Sequence, residues 1–225
     1  MMNWEEKYPA MGKGMDALRL LGDLLVVNLL WLLTSLPIVT LGAASSAAYG
    51  VLLRYVREGG IPVFRTYFRS LKENFLQATA LWFLTIGMAL VVYVDWQFAG
   101  SVAGVMHTVY LALSLVLCGG ILVMLTVAIP IQAYYRNSLG NIIKNAFLMA
   151  LCAPGWTLLI WAIWGAVALI FLLVPYETVI TLGSLFLMWG FSFPAWLGSR
   201  CALRIFRICD PSQRAGRKPE KREED

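Results

Sequence analysis

A single histidine, His107, is the whole imidazole supply of this 225-residue sequence. That scarcity excludes a histidine-rich metal site within one chain. Cysteine is nearly as sparse. Cys118, Cys152, Cys201 and Cys209 have no CxxC spacing and read as reduced structural thiols. There is no GxxxxGK[ST] phosphate cradle, no GxSxG and no HExxH. The sequence therefore nominates no catalytic residue, no cofactor-binding residue and no metal ligand. The expectation is a protein that is not an enzyme and has no cofactor.

Charge is the other shortage. Only 14% of residues are Asp, Glu, Lys or Arg, while 60% are hydrophobic and mean hydropathy is +0.71. A soluble globular chain carries about 25% charged residues and roughly 45–50% apolar ones. A soluble core could not hide this much apolar surface. What is present instead is a set of long apolar runs, near 20–42, 75–95, 106–129, 156–174 and 179–198. Each is long enough for a hydrocarbon core about 30 Å thick, which takes about 20 helical residues. The expected fold class is all-α: a polytopic membrane protein with five transmembrane helices. Residues 1–199 form one transmembrane domain, and 200–225 a basic cytoplasmic tail, partly disordered. Lys7, Lys13 and Arg19 precede an apolar run, but that run exceeds the roughly 7–15 residues of a secretory h-region and reads as a retained span.

The 18 Lys and Arg lie almost wholly between or beyond the spans, where positive charge marks the cytoplasmic side. Arg54, Arg57, Arg65, Arg69 and Lys72 fill one connection, Arg136 and Lys144 another, and Arg200 opens the basic tail. The short connections at 96–105 and 175–178 carry neither Lys nor Arg. The C-terminus is therefore expected inside a bacterial cytoplasmic membrane. Nucleic-acid binding is not expected, because the tail alternates basic with acidic residues and offers no stacking platform.

The N-terminus has two readings. If 43–58 is a sixth span, the N-terminus is inside and all basic residues are cytoplasmic. If it is an interfacial helix, the N-terminus is outside. Its apolar part is short for a span. SLPIVT at Pro37, AIPIQA at Pro130 and SFPAWL at Pro194 also look like three similar exits through proline. Together these favour five spans and an external N-terminus.

Two helices are expected to lie at the interface, near 43–58 and 61–74. In the second, Phe64, Phe68, Leu71 and Phe75 share a stripe flanked by Arg65, Arg69 and Lys72. Arg200, Arg204 and Arg207 repeat the cationic pattern at the C-terminal exit and are the other candidate interface residues. Inside the spans, Asp23 and Asn28 are the candidate functional polar residues, since burying them in lipid is costly. Asp23 can reach Arg19 one turn away. Asn28, Trp31 and Ser35 share a stripe suited to joining helices.

The run WLLTSLPIVTLGAASSAAYGVLLRYVREGG, followed by FRTYFRSLKENFLQATALW, resembles the YesL-like family of small bacterial integral membrane proteins. The likeness lies in the first span's LP-I-x-T-x-G ending, the small residues after it, and the F-x-x-S-L-K-E-N-F connector, within residues 12–85. The resemblance implies an accessory role beside carbohydrate uptake systems, and carries over no catalytic residues. The expected partners are the lipid bilayer and membrane subunits of a sugar transporter; a homo-oligomer is compatible with the same features. The alternative is a small solute transporter or channel in its own right.

Overall fold

The computed structural model describes residues 9–101, 104–135, 137–173, 183–184 and 186–209, with side chains from residue 14 onward. Helices make up nearly all of them, and no strand occurs among the described residues. We number them α1 Pro9–Ser35, α2 Leu41–Glu58, α3 Val63–Ala99, α4 Val105–Tyr134, α5 Leu139–Cys152, α6 Pro154–Leu173 and α7 Ser192–Cys209. Among the described residues, four stretches are long and apolar enough to cross a membrane: Gly14–Ser35 of α1, α3, α4 and α6.

The opening apolar run does not continue to residue 42. Pro37 has no amide N–H and forces its predecessor out of helical geometry, so α1 stops at Ser35. A short 3-10 turn, Ile38–Thr40, reverses the chain. The Thr40 hydroxyl donates to the Thr34 carbonyl at 2.6 Å, satisfying a group that the broken helix leaves free. α2 then runs back beside α1. Trp31 Nε1 donates to Ser45 Oγ at 3.1 Å, and the Arg19 guanidinium lies against Gly60, just past the far end of α2.

α2 is the centre of the molecule, which corrects the expected interfacial helix at 43–58. Every residue from Gly42 to Leu53 is buried against protein. Its small side chains let neighbours come close: a Cβ added at Gly42 would lie 2.6 Å from the Ala78 carbonyl oxygen and 2.5 Å from Trp82 Cβ. Trp82 Nε1 also donates to Ile38 O at 2.9 Å, pinning α3 to the turn.

The expected interfacial helix at 61–74 is likewise not a separate element. Gly59, at φ +77°, and Gly60 end α2, Pro62 precedes the next helix, and α3 then continues for 37 residues. Its buried stripe is Val63, Thr66, Tyr67 and Ser70, while Phe64 and Phe75 are exposed and Phe68 and Leu71 half-buried.

The three prolines expected to mark similar exits do three different things. Pro37 ends a helix. Pro130 sits inside α4, just beyond a π-helical turn, Met124–Ala128, the usual response when a helix loses an i→i−4 bond. Pro194 lies in the first turn of α7, where its missing N–H costs nothing. The expected span at 179–198 is therefore not one continuous helix. Residues 174–182 and 185 lie outside the described residues, 186–189 are helical, and the chain turns at Gly190–Phe191 before α7. The helix of α7 also takes in the first ten residues assigned to the tail, up to Cys209; Arg136 and 210–225 lie outside the described residues.

Several helix ends meet at one end of the bundle. Arg57 Cζ lies 5.4 Å from the Tyr134 ring, and Tyr134 and Tyr135 pack on Phe206 at 5.0 and 5.4 Å. With Arg19 at Gly60, this gathers the early part of α1, the ends of α2 and α4, and the end of α7. Because α2 returns beside α1, the early described part of α1 and the last turns of α7 lie at the same end of the bundle.

Candidate functional site

The break before α7 is where buried polarity concentrates. In an unbroken helix the Leu187 carbonyl would accept from the Phe191 N–H. Here the fully buried Asn28 amide stands between them. Its Nδ2 donates to Leu187 O at 2.8 Å and Phe186 O at 3.3 Å, and its Oδ1 accepts from the Phe191 and Ser192 N–H groups at 3.0 Å each. Two carbonyls on one side and two N–H groups on the other fix which way the amide points. Away from water, each of these backbone groups would be costly to leave unpaired. One side chain bonds to all four, sharing Phe186 O with the Gly190 N–H at 2.8 Å.

Aromatic rings surround the break. Phe191 stacks on Trp31 with centroids 4.2 Å apart and an interplanar angle of 4°, and it also contacts Tyr49 and Trp164. Trp189 Nε1 donates to Leu21 O at 3.0 Å, tying the other side of the break to α1. Gly190 is required by the Phe186 ring, which occupies the space a side chain would need. This arrangement holds a discontinuity in place. It contains no nucleophile–base pair, and no group of three or more His, Cys, Asp or Glu able to hold a metal occurs among the described residues.

The expected Asn28–Trp31–Ser35 stripe joins helices through its first two members, whereas Ser35 bonds within its own helix to Leu32 O at 3.1 Å. Asp23 is not paired with Arg19. Its Oδ2 is buried without a hydrogen-bond partner, Tyr55 lies near both groups, and the Arg19 guanidinium turns to Gly60. Arg69 pairs with Glu73 at 2.9 Å, while Arg65 and Lys72 are exposed. Arg200 covers the Trp196 ring at 4.0 Å and Arg204 the Trp156 ring at 5.6 Å. Arg207 is exposed on the last turn of α7.

One polar contact was missed by sequence reasoning. Asp95, beside the short connection at 96–105, is buried and accepts a short hydrogen bond from Ser114 across the α3–α4 hairpin. His107 Nδ1 lies 2.9 Å from Ala99 O in the same region. The available signal was Ser114, a polar residue inside the apolar run of α4.

These features define a polytopic helical membrane protein with an enclosed central helix and a broken helix clamped by an asparagine. Residues 24–96, which run from α1 through α2 into α3, match the family described as "Protein of unknown function, DUF624". Across 83% of this chain and 86% of the relative, the sequence is 24% identical to "Uncharacterized protein YesL" of Bacillus subtilis (strain 168). Together these matches support a YesL-like family for the chain. No solved structure matches it.

Proposed function

We propose that this chain is a non-enzymatic membrane protein acting as an accessory component of a carbohydrate transport system. Supporting this reading is the contrast between a closed interior and open flanks. The Asn28 amide spends its hydrogen-bonding capacity on backbone, while α3 and α6 leave long apolar faces exposed. Such faces suit contact with lipid or with other membrane subunits. The carbohydrate connection rests on the family resemblance alone. Isolation of the full chain from bacterial membranes in mild detergent is expected to bring sugar-permease subunits with it. Recovery as a lone species under several mild conditions overturns the proposal.

In the same reading the basic end of the bundle faces the cytoplasm. Cysteines placed singly at positions 54 and 204 are then expected to react with an impermeant maleimide only after the cells are opened. Reaction in intact cells would reverse the orientation.

A second reading, a solute transporter, is favoured by one observation: discontinuous helices inside a membrane bundle are a recurrent basis for transporter binding sites. It predicts solute flux in proteoliposomes that Asn28→Ala abolishes. Absence of flux across sugars, amino acids and ions removes it.

A further inference from the structure

We propose that the outer face of the α6–α7 pair binds an anionic phospholipid, with its phosphate at Arg200 and Arg204 and one acyl chain in the groove beside the helix break. Two separate observations meet here. The first is an open groove of about 250 Å³, lined by Val167, Ile170, Phe171, Phe186, Gly190 and Phe193 among others. Its lining is almost wholly apolar, and the turn at Gly190 supplies one wall. The second is a cationic ladder on the same helix pair, in which Arg200 lies over Trp196 and Arg204 over Trp156.

Groove and ladder lie on one face. On α7, Phe193, Trp196, Arg200 and Arg204 follow helical spacing along a single stripe, and Phe193 packs on Trp196 at 6.1 Å. On α6, Trp156, Val167 and Ile170 do the same. The two helices run antiparallel, with Trp156 beside Arg204 at one end and Val167 and Ile170 beside Phe193 at the other. At ~1.5 Å per residue, about 16 Å of helix separates Phe193 from Arg204. Half of a hydrocarbon core is about 15 Å thick. A lipid whose phosphate reaches the arginines therefore lays its chain along the stripe as far as the groove. Tryptophan beneath a cation is the usual furniture of the headgroup boundary. The positive charge selects an anionic headgroup over a zwitterionic one.

The test is native mass spectrometry of the full chain released from detergent in the presence of phosphatidylglycerol and phosphatidylcholine with identical acyl chains. Retention of phosphatidylglycerol is expected to exceed that of phosphatidylcholine about fivefold or more. In R200Q/R204Q the preference falls to near unity with an unchanged melting temperature. Arg65→Gln, on a different helix, leaves the preference intact. Val167→Trp, which fills the groove, lowers retention of both lipids, and Ile170→Trp repeats that check at a second position should the first variant melt early. Equal retention of the two lipids by the unaltered chain overturns the proposal. So does a preference that survives R200Q/R204Q, or one lost equally with Arg65→Gln. Displacement of phosphatidylglycerol by millimolar inorganic phosphate, without any effect of groove filling, would reduce the site to a free-anion site and overturn the lipid assignment.

Discussion

α2 and α6 are nearly the same length, and they occupy opposite environments. α6, Pro154–Leu173, is rich in Leu, Ile and Trp, and only Thr157 and Ile160 are buried among its residues. α2, Leu41–Glu58, is built from Ala, Ser and Gly in its first half and is enclosed over most of its length. Of these two, the helix that resembles a membrane span faces outward, and the one that does not lies at the centre. Hydropathy reports what a helix can show to lipid, not what it packs against, because lipid tails are as apolar as any leucine core. Close packing inside a bilayer relies instead on small residues that let backbones approach.

The sharpest way to break this comparison is to add one methyl group to each helix. In Gly42→Ala the new Cβ falls within 2.6 Å of a backbone oxygen on α3, and neither backbone can yield locally. Destabilisation of about 1–3 kcal/mol is expected, as for overpacking in a tight core. Gly165→Ala, on α6, meets nothing within 4 Å. It should be neutral or slightly stabilising, since alanine favours a helix over glycine by up to about 1 kcal/mol. Thermal unfolding of the two variants in the same detergent checks both signs. Similar losses in the two would mean that α2 is no more enclosed than α6.

A second pair contrasts a buried amide with an exposed one. Asn28→Ala strands three backbone groups around the break, Leu187 O and the Phe191 and Ser192 N–H groups, while Phe186 O keeps its bond from Gly190 N–H. At about 0.6 kcal/mol per hydrogen bond within a membrane protein, the expected loss is about 2 kcal/mol. Hydrogen exchange should rise first at Phe191 and Ser192, which lose their acceptor. Gln97→Ala removes an exposed bond between Gln97 Nε2 and the Tyr93 hydroxyl and should change stability by less than about 0.5 kcal/mol. An Asn28→Ala variant with unaltered exchange at 191–192 would show that the break holds without its clamp.

The same contrast explains how far the sequence could be read. Long apolar helices announce themselves, so α3, α4 and α6 fall close to the runs at 75–95, 106–129 and 156–174. α2 was legible only as an ambiguity. Its 14 or so apolar residues fit either a short span or an interfacial helix, and its central place depends on α3 closing over Gly42 and Gly50. Asn28 stood out as a polar residue in an apolar run, but its partners are backbone groups about 160 residues away, which no side-chain pattern encodes. Prolines behaved likewise: each marked an irregularity, and whether it became an end, a bulge or a beginning depended on what could satisfy the freed carbonyl. Asp95 was hidden by its closeness to a loop, because its buried partner Ser114 lies on the next helix.

That dependence on a local donor gives a further, smaller expected effect than the loss of the Asn28 clamp, at the joint between α5 and α6. Pro154 has no N–H to give to Ala150 O, so an unassisted kink there would leave that carbonyl unpaired. The buried Thr157 hydroxyl lies 3.3 Å from Ala150 O and 3.2 Å from Ala153 O, and supplies the missing donor from one turn ahead. Thr157→Val preserves the shape and β-branching while deleting that donor. The expected loss is about 0.5–1.5 kcal/mol, the usual net worth of one hydrogen bond. Thr157→Ser, which keeps the hydroxyl, should lose less of it. The two variants measured side by side decide whether the donor or the packing matters at the joint. Equal stability for Thr157→Val and the unaltered chain would place the Ala150 carbonyl in contact with another donor, and the kink would then owe its form to Pro154 alone.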